Sequence, residues 1–221
     1  IAEERKRAID QERERGNVLR QFINDISHDF RTPLSTIATA AYLIKQTHKT
    51  QNIEGRLEVI DQQIMRLEKL LNSLNTITRL DEVSQIHMQK MDVNHILNAI
   101  HIDKQSAIAA KKLSFQLDLQ HNLPEITGNI RLINDAFTQI IDNAIHYCRE
   151  EDSIIIQTYT DQNRLVVQIA DTGIGIAQED LPHVFDRMYR ADKARNTLTG
   201  GSGLGLAITR RIIDLHQGTI N

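Results

Sequence analysis

Apolar residues recur at Leu19, Phe22, Ile26, Phe30, Leu34, Ile37, Ala41 and Ile44, in steps of three and four. That spacing is the mark of a helix with a buried seam, and it predicts one long helix ending near Lys45. A polar stretch without periodicity, 46–52, follows. A second helix then carries Ile53, Leu57, Ile60, Ile64, Leu67, Leu71, Leu74 and Ile77, a pattern close to a heptad. Two such helices joined by a short loop make an antiparallel hairpin. One hairpin cannot cover its own seam on both sides, so the pattern predicts a homodimer in which two copies form a four-helix bundle. The first residues are mostly Glu, Arg, Lys and Gln with sparse apolar positions at Ile1, Ala8, Ile9 and Val18. They read as a charged coiled-coil helix leading into the seam.

After residue 90 the pattern changes. Residues 91–110 look helical, with Val93, Ile96, Leu97, Ile100 and Ile108 on one side. Residues 113–119 alternate with period two, as a half-buried strand does, and 131–147 are helical again. Two β-rich runs, 153–160 and 164–170, flank Asp161-Gln162-Asn163, a predicted hairpin turn. A polar, glycine-punctuated stretch, 172–203, precedes a last helix over 204–216, with Gly218 in a C-cap-like place. Mixed strands and helices with antiparallel-looking pairings predict an α+β domain whose sheet is covered on one face by helices.

Composition narrows the class. Aromatic residues make up only 4% and Trp is absent, which suits Leu- and Ile-packed helical layers better than a large sandwich. The net charge of −3 (26 basic against 29 acidic residues) gives no electrostatic reason to expect nucleic acid. One cysteine, Cys148, excludes an intrachain disulfide framework and fits a reducing compartment. No apolar run approaches the roughly 20 residues of a membrane span. The chain opens on Ile within a helical pattern and stops at Asn221 as an apolar stretch begins. It therefore reads as a cytoplasmic fragment, with any inner-membrane anchor of the parent lying upstream.

The first candidate for chemistry is His28, which lies off the helical seam with Asp29 beside it. Thr32, Ser35, Thr36 and Thr39 continue its stripe in hydroxyls. A histidine with a carboxylate neighbour on an exposed polar stripe is badly placed for packing and well placed as a nucleophile. Four elements follow in the second half. Gln139, Asn143, His146 and Tyr147 lie on consecutive helical turns, and an amide oxygen suits Mg²⁺. Asp171-Thr-Gly173-Ile-Gly175 ends a strand; its carboxylate can accept from an exocyclic amine while glycines admit a flat base. Phe185 to Arg190 is an apolar anchor ending in a cation. Gly200-Gly201-Ser202-Gly203-Leu204-Gly205 opens a helix and offers backbone N–H groups to phosphate, without the ending of a Walker loop. Each element is common alone; the four in this order behind Ser-His-Asp-x-x-Thr-Pro are the specific signal.

The chain thereby resembles the transmitter core of a sensor histidine kinase of two-component signalling. The phosphoacceptor box matches at His28, Asp29, Arg31, Thr32 and Pro33, and the asparagine box at Asn143, Ala144 and Tyr147. The first glycine box matches at Asp171, Gly173 and Gly175, the phenylalanine box at Phe185, and the second glycine box at Gly201, Gly203 and Gly205. The resemblance implies a signalling helix over 1–16, a dimerisation and histidine-phosphotransfer domain over 17–82, a linker over 83–90, and a GHKL-type α/β sandwich that binds ATP over 91–221.

It further implies autophosphorylation on His28 from ATP and Mg²⁺, then phosphotransfer to an aspartate on the receiver domain of a response regulator. Asp29 becomes the general base, and Thr32 a residue that aligns water for a phosphatase activity. Asn143 and Gln139 would hold the metal, and Asp171 would select adenine. His146, Tyr147, Gly173, Gly175, Phe185, Arg190, Gly201, Gly203 and Gly205 would surround the nucleotide under a lid over 186–202. Pro33, with no N–H for the carbonyl of Asp29, predicts a bend beside the nucleophile. Two positions depart from the family. Gln139 stands where a second Asn is usual, and His146 where Lys or Arg meets the phosphates, which shifts that charge to Arg190, with Lys193 and Arg195. The family's glycine-bearing strand hairpin is missing after Asn221. Alternatives are a nucleotide-binding scaffold of the same fold without catalysis and a GHKL ATPase that has no use for His28.

Overall fold

The computed structural model describes residues 2–46, 53–82, 86–191 and 202–221. The chain divides into two compact units, one of Ile1–Asn75 with Arg187–Leu204 and one of Thr76–Asp186 with Gly205–Asn221.

The first unit is built on two long helices, α1 (Ala2–Gln46) and α2 (Ile53–Glu82, whose last turns belong to the second unit). α1 runs unbroken through Pro33, which is buried, so the expected bend does not interrupt the helix. Hydroxyls bond back to the preceding turn around it: Ser27 donates to the Ile23 carbonyl at 2.8 Å and Thr36 to the Thr32 carbonyl at 3.1 Å. The expected seam divides into two stripes. Ile60, Leu67 and Leu74 are half-buried, whereas Leu34, Leu57, Ile64 and Leu71 are exposed; the buried Pro33, Ala40 and Leu70 lie one position before Leu34, Ala41 and Leu71 of the expected seam. On α2 the exposed members fall seven residues apart, so the heptad has one face turned inward and a second left in solvent.

The second unit contains β1 (Gln89–Met91), α3 (Val93–Ala110), β2 (Ser114–Leu119), β3 (Ile126–Gly128), α4 (Ile130–Tyr147), β4 (Ser153–Asp161), β5 (Arg164–Asp171), a 3-10 turn (Leu181–His183) and α5 (Gly205–Leu215). A three-stranded sheet has the order β2-β4-β5, and β1 pairs antiparallel with β3 in a separate two-stranded sheet. β2 and β4 are parallel, with Ser114 opposite Ser153, a pairing the sequence pattern did not specify; α4 lies in the connection between them. β4 and β5 form the expected hairpin, in register from Ile154 opposite Asp171 to Asp161 opposite Arg164. Its loop residues Gln162 and Asn163 have φ of 44° and 69°, both left-handed as in a type I′ turn.

Helix starts follow capping chemistry. Asp92 accepts from the N–H groups of Asn94 and His95 to start α3, and Asn129 accepts from Leu132 N–H to start α4. On β4 the alternate residues Ile154, Ile156 and Thr158 are buried, and α3 and α4 contact the sheet. Leu97, Ala136, Ile141 and Ile212 complete a dry core; each fully buried Leu or Ile contributes about 1.5–3 kcal/mol. α5 ends with Gly218 N–H donating to the Ile213 carbonyl at 3.0 Å, but the left-handed residue is Gln217 (φ 57°) and not the glycine. Gly218 is required for space, since a Cβ there would lie 2.9 Å from Ile213 Cγ2.

Candidate functional site

In the first unit, the polar stripe of α1 presents His28 to solvent with its side chain 71% exposed. Its Nδ1 lies 3.5 Å from Asp29 Oδ1, longer than a good hydrogen bond. The other Asp29 oxygen, Oδ2, lies 3.6 Å from Arg190 Nη1. Both Asp29 and Arg190 are largely buried, and Arg190 Nε and Nη2 have no hydrogen-bond partner among the described residues. Arg66 on α2 belongs to the same charge cluster. Burial first, and then the like charge of Arg190, push its guanidinium down, while Asp29 opposes the shift. Thr32 donates to the His28 carbonyl at 3.3 Å, and Thr39 to the Ser35 carbonyl at 2.9 Å, so these hydroxyls serve the helix backbone. Gly203 (φ +66°) packs against Met188: a Cβ would lie 2.8 Å from the Met188 carbonyl carbon, and Met188 N–H donates to the Gly203 carbonyl at 2.9 Å. Gly201, Lys193, Arg195 and most of the expected lid lie outside the described residues.

In the second unit, α4 carries Gln139, Asn143, His146 and Tyr147 toward its C-terminal end, with Asn143 half-buried and His146 and Tyr147 exposed. The rings of His146 and Tyr147 meet edge to face with centroids 4.8 Å apart. Asp171 ends β5, and its Oδ1 accepts from Gly173 N–H at 2.9 Å. Gly173 lies so close to α4 that a Cβ would sit 2.8 Å from the Tyr147 carbonyl oxygen. Gly175, at φ +71°, has nothing within 4 Å of its Cβ position and borders open space. Gln139 is aimed at the start of α5: a Cβ on Gly205 would lie 2.6 Å from its Oε1. Phe185 is half-buried under the Arg210 guanidinium, 5.3 Å from the ring centroid.

The fold thus brings Asn143, Tyr147, Asp171 and Gly173 together at one end of α4 and β5, and Gln139 with Gly205 at the start of α5. An exposed carboxylate at a glycine-bounded opening can accept from an amine on a flat base. Among the described residues no three His, Cys, Asp or Glu side chains come together as a metal cluster. A metal held by amide oxygens there would take its other ligands from phosphate and water, as Mg²⁺ does. Sequence reasoning passed over two threonines. Thr172 Oγ1 accepts from Ser153 N–H at 3.0 Å and donates to Asp152 at 3.1 Å, tying down the loop after Asp171. Thr209, fully buried, donates to the Gly205 carbonyl at 3.0 Å and steadies the first turn of α5. Cys148 is buried, and burial pushes its thiol up with Asp171 and Asp152 adding to the effect; it sits as a packing residue at the end of α4.

Comparison with known proteins gives two family matches. Residues 18–83 match the His Kinase A (phospho-acceptor) domain, and residues 128–221 match the histidine kinase-, DNA gyrase B-, and HSP90-like ATPase family. The sensor histidine kinase YkoH of Bacillus subtilis is 32% identical over 198 residues, covering 89% of this chain and 42% of its own. The signal transduction histidine-protein kinase ArlS of Staphylococcus aureus is 34% identical over 215 residues, covering 92% and 46%. The chain therefore spans less than half the length of these curated relatives. Among solved structures, the histidine kinase ThkA in complex with the response regulator protein TrrA superposes with a TM-score of 0.75 at 18% identity, covering 93% of this chain and 57% of that one. The Acinetobacter baumannii histidine kinase AdeS gives 0.58 at 22% identity, covering 85% and 86%. No described helix is long and apolar enough to cross a membrane.

Proposed function

Because the chain belongs to the sensor histidine kinases, we propose that it transfers the γ-phosphoryl group of MgATP to His28 and passes it to an aspartate of a response regulator. The observation that carries this reading is the arrangement around His28. Its side chain is 71% exposed with Nδ1 on the Asp29 side, and Arg190, which neighbours Asp29, has two buried nitrogens, Nε and Nη2, without a partner among the described residues. The lone pair of Nε2 forms the new N–P bond as the bond from phosphorus to the ADP oxygen breaks. Asp29, 3.5 Å away, would hold the Nδ1 proton on closing to hydrogen-bond distance, and with it the reactive tautomer. The unpartnered N–H groups of Arg190 are what a phosphoryl oxygen would satisfy, and such transfer depends mostly on positioning and charge.

In the second unit Asp171 accepts from the adenine amine, Gly173 and Gly175 let the base approach, and Tyr147, His146 and Phe185 border the nucleotide. Gly203 and Gly205, with Gly201, free the backbone at the start of α5 for phosphate. Asn143 would hold Mg²⁺ and Gln139 is the second amide of the pair; the ion, when bound, spreads the charge of the phosphoryl oxygens. The domain plan is a signalling helix over 1–16, the phosphotransfer hairpin over 17–82, and the nucleotide domain over 91–221. The solvent-facing stripe of Leu57, Ile64 and Leu71 supports a homodimer closed into a four-helix bundle. Use of ATP places this part of the protein in the cytoplasm. Thr32, one turn after His28, would aid a phosphatase activity by leaving the His28 carbonyl for water.

Incubation with γ-labelled ATP and Mg²⁺ tests the reading. The expected product is an acid-labile, base-stable label that is lost in His28→Gln. Full labelling of His28→Gln would sink it. Nucleotide binding with no label would favour a scaffold, and ATP hydrolysis unaffected by His28→Gln would favour an ATPase.

A further inference from the structure

The turn between α3 and β2 is heavily pinned. Lys112 N–H donates to the Ala109 carbonyl at 3.0 Å, Leu113 N–H to Ile108 at 3.0 Å, and Ser114 N–H to Asp152 at 2.9 Å. Lys112 adopts φ 53°, a conformation that costs a non-glycine residue energy and persists where its surroundings hold it. The turn sends the half-buried side chain of Lys111 across to the C-terminal end of α4. There its ammonium donates to the carbonyls of Ile145 at 2.7 Å, His146 at 2.9 Å and Cys148 at 3.0 Å. An ammonium has three donors, and all three go to backbone oxygens at the end of the helix that carries Asn143. These are carbonyls that a helix end leaves without intrahelical donors, at the pole where a cation is favoured.

The carbonyl that Lys111 skips is the informative one. Tyr147 lies between His146 and Cys148, and its oxygen instead accepts from Ile174 N–H at 3.4 Å, with Gly173 packed against it. Holding the oxygens on either side turns the Tyr147 carbonyl toward the loop that begins at Asp171. The spacing between Asn143 on α4 and Asp171 on β5 is therefore set through this contact. We propose that Lys111 is a positioning residue for the nucleotide: its ammonium, bound to three carbonyls at the end of α4, fixes the register between the Asn143 turn and the Asp171–Gly175 loop. The inference rests on the nucleotide reading above and adds to it a residue that touches no ligand.

The test compares the full chain with Lys111→Met, Lys111→Arg and Lys112→Met. Lys112 comes from the same turn and pairs with Glu150 on the surface, so its variant controls for lost charge near the helix end. For Lys111→Met the dissociation constant and KM for MgATP should rise about tenfold, the size of one charge-assisted hydrogen bond expressed as affinity, with kcat changed less than twofold. Amide exchange at Gly173 and Ile174 should quicken, and Lys112→Met should change none of these. Lys111→Arg, which keeps the charge and donors, should recover part of the affinity and decides the matter should Lys111→Met fail to fold. Wild-type affinity in both Lys111 variants, or an equal loss in Lys112→Met, would overturn the inference alone. An unaltered chain that binds no ATP would overturn the nucleotide reading and this inference together.

Discussion

Two glycines at the nucleotide end of the second unit exclude a side chain for different physical reasons. At Gly173 a Cβ meets the Tyr147 carbonyl oxygen at 2.8 Å, which is backbone and cannot turn aside. Gly173→Ala should cost about 1–3 kcal/mol, the usual penalty for overpacking, and weaken ATP binding by moving the Asp171 loop. At Gly205 the obstruction is Gln139 Oε1 at 2.6 Å, the far end of a flexible arm. Gly205→Ala should cost less than about 1 kcal/mol, because a rotamer change relieves it. Combining it with Gln139→Asn, which shortens the arm, should remove what cost remains. Urea denaturation of the variants checks this, and equal losses for the two alanines would refute it. The departure of Gln139 from the usual Asn thus has a structural counterpart in the bare backbone opposite.

Along the elements, α4 carries the proposed site residues at one end and a half-buried carboxylate, Asp135, near the other. Burial pushes Asp135 up from the ordinary carboxylate range, with Arg131 opposing. A folded-state pKa above the unfolded one means that the native state binds more protons in the window just above pH 3.8. Stability from this group therefore falls as pH rises through that window. Asp135→Asn should be more stable than the unaltered chain at pH 7, and the difference should vanish near pH 3.5; paired urea titrations at the two values decide it. Periodic elements were the legible ones: α1 to α5 and the β4–β5 hairpin follow from spacing alone. β1 and β3, three residues each, are too short to show a period. The parallel β2–β4 pairing is a long-range choice that no local pattern encodes. The heptad on α2 was visible, but its division into buried and exposed stripes depends on which neighbours are present. In the candidate site, His28, Asn143, Asp171 and the glycines were candidates by type and order. Lys111, Thr172 and Thr209 did not, because their importance lies in backbone oxygens and amides they meet only after folding.

For the whole molecule, an exposed apolar stripe on α2, formed by Leu57, Ile64 and Leu71, is the feature that bears on assembly; Leu19 and Leu34 are exposed on α1. A carboxylate introduced into such a stripe is strongly unfavourable when two copies meet, and harmless in a lone hairpin. Ile64→Asp with Leu71→Asp should sediment as a monomer where the unaltered chain sediments as a dimer, with its helical circular dichroism largely kept. A monomeric unaltered chain at tens of micromolar would defeat the expectation. The parallel pairing of β2 with β4 has a consequence of another kind, for the order in which the protein is made. Because α4 is the crossover between those strands, its apolar face can be covered by the finished sheet only after β4 and β5 have left the ribosome. At about 5–20 residues per second, the stretch from Tyr147 to Asp171 takes on the order of 1–5 s to synthesise. During that interval Ile133, Phe137, Ile141 and Ile145 have only the elements already made, β1, α3, β2 and β3, for cover, since α5, which also packs on α4, is made later still; the connection is exposed to aggregation for that time.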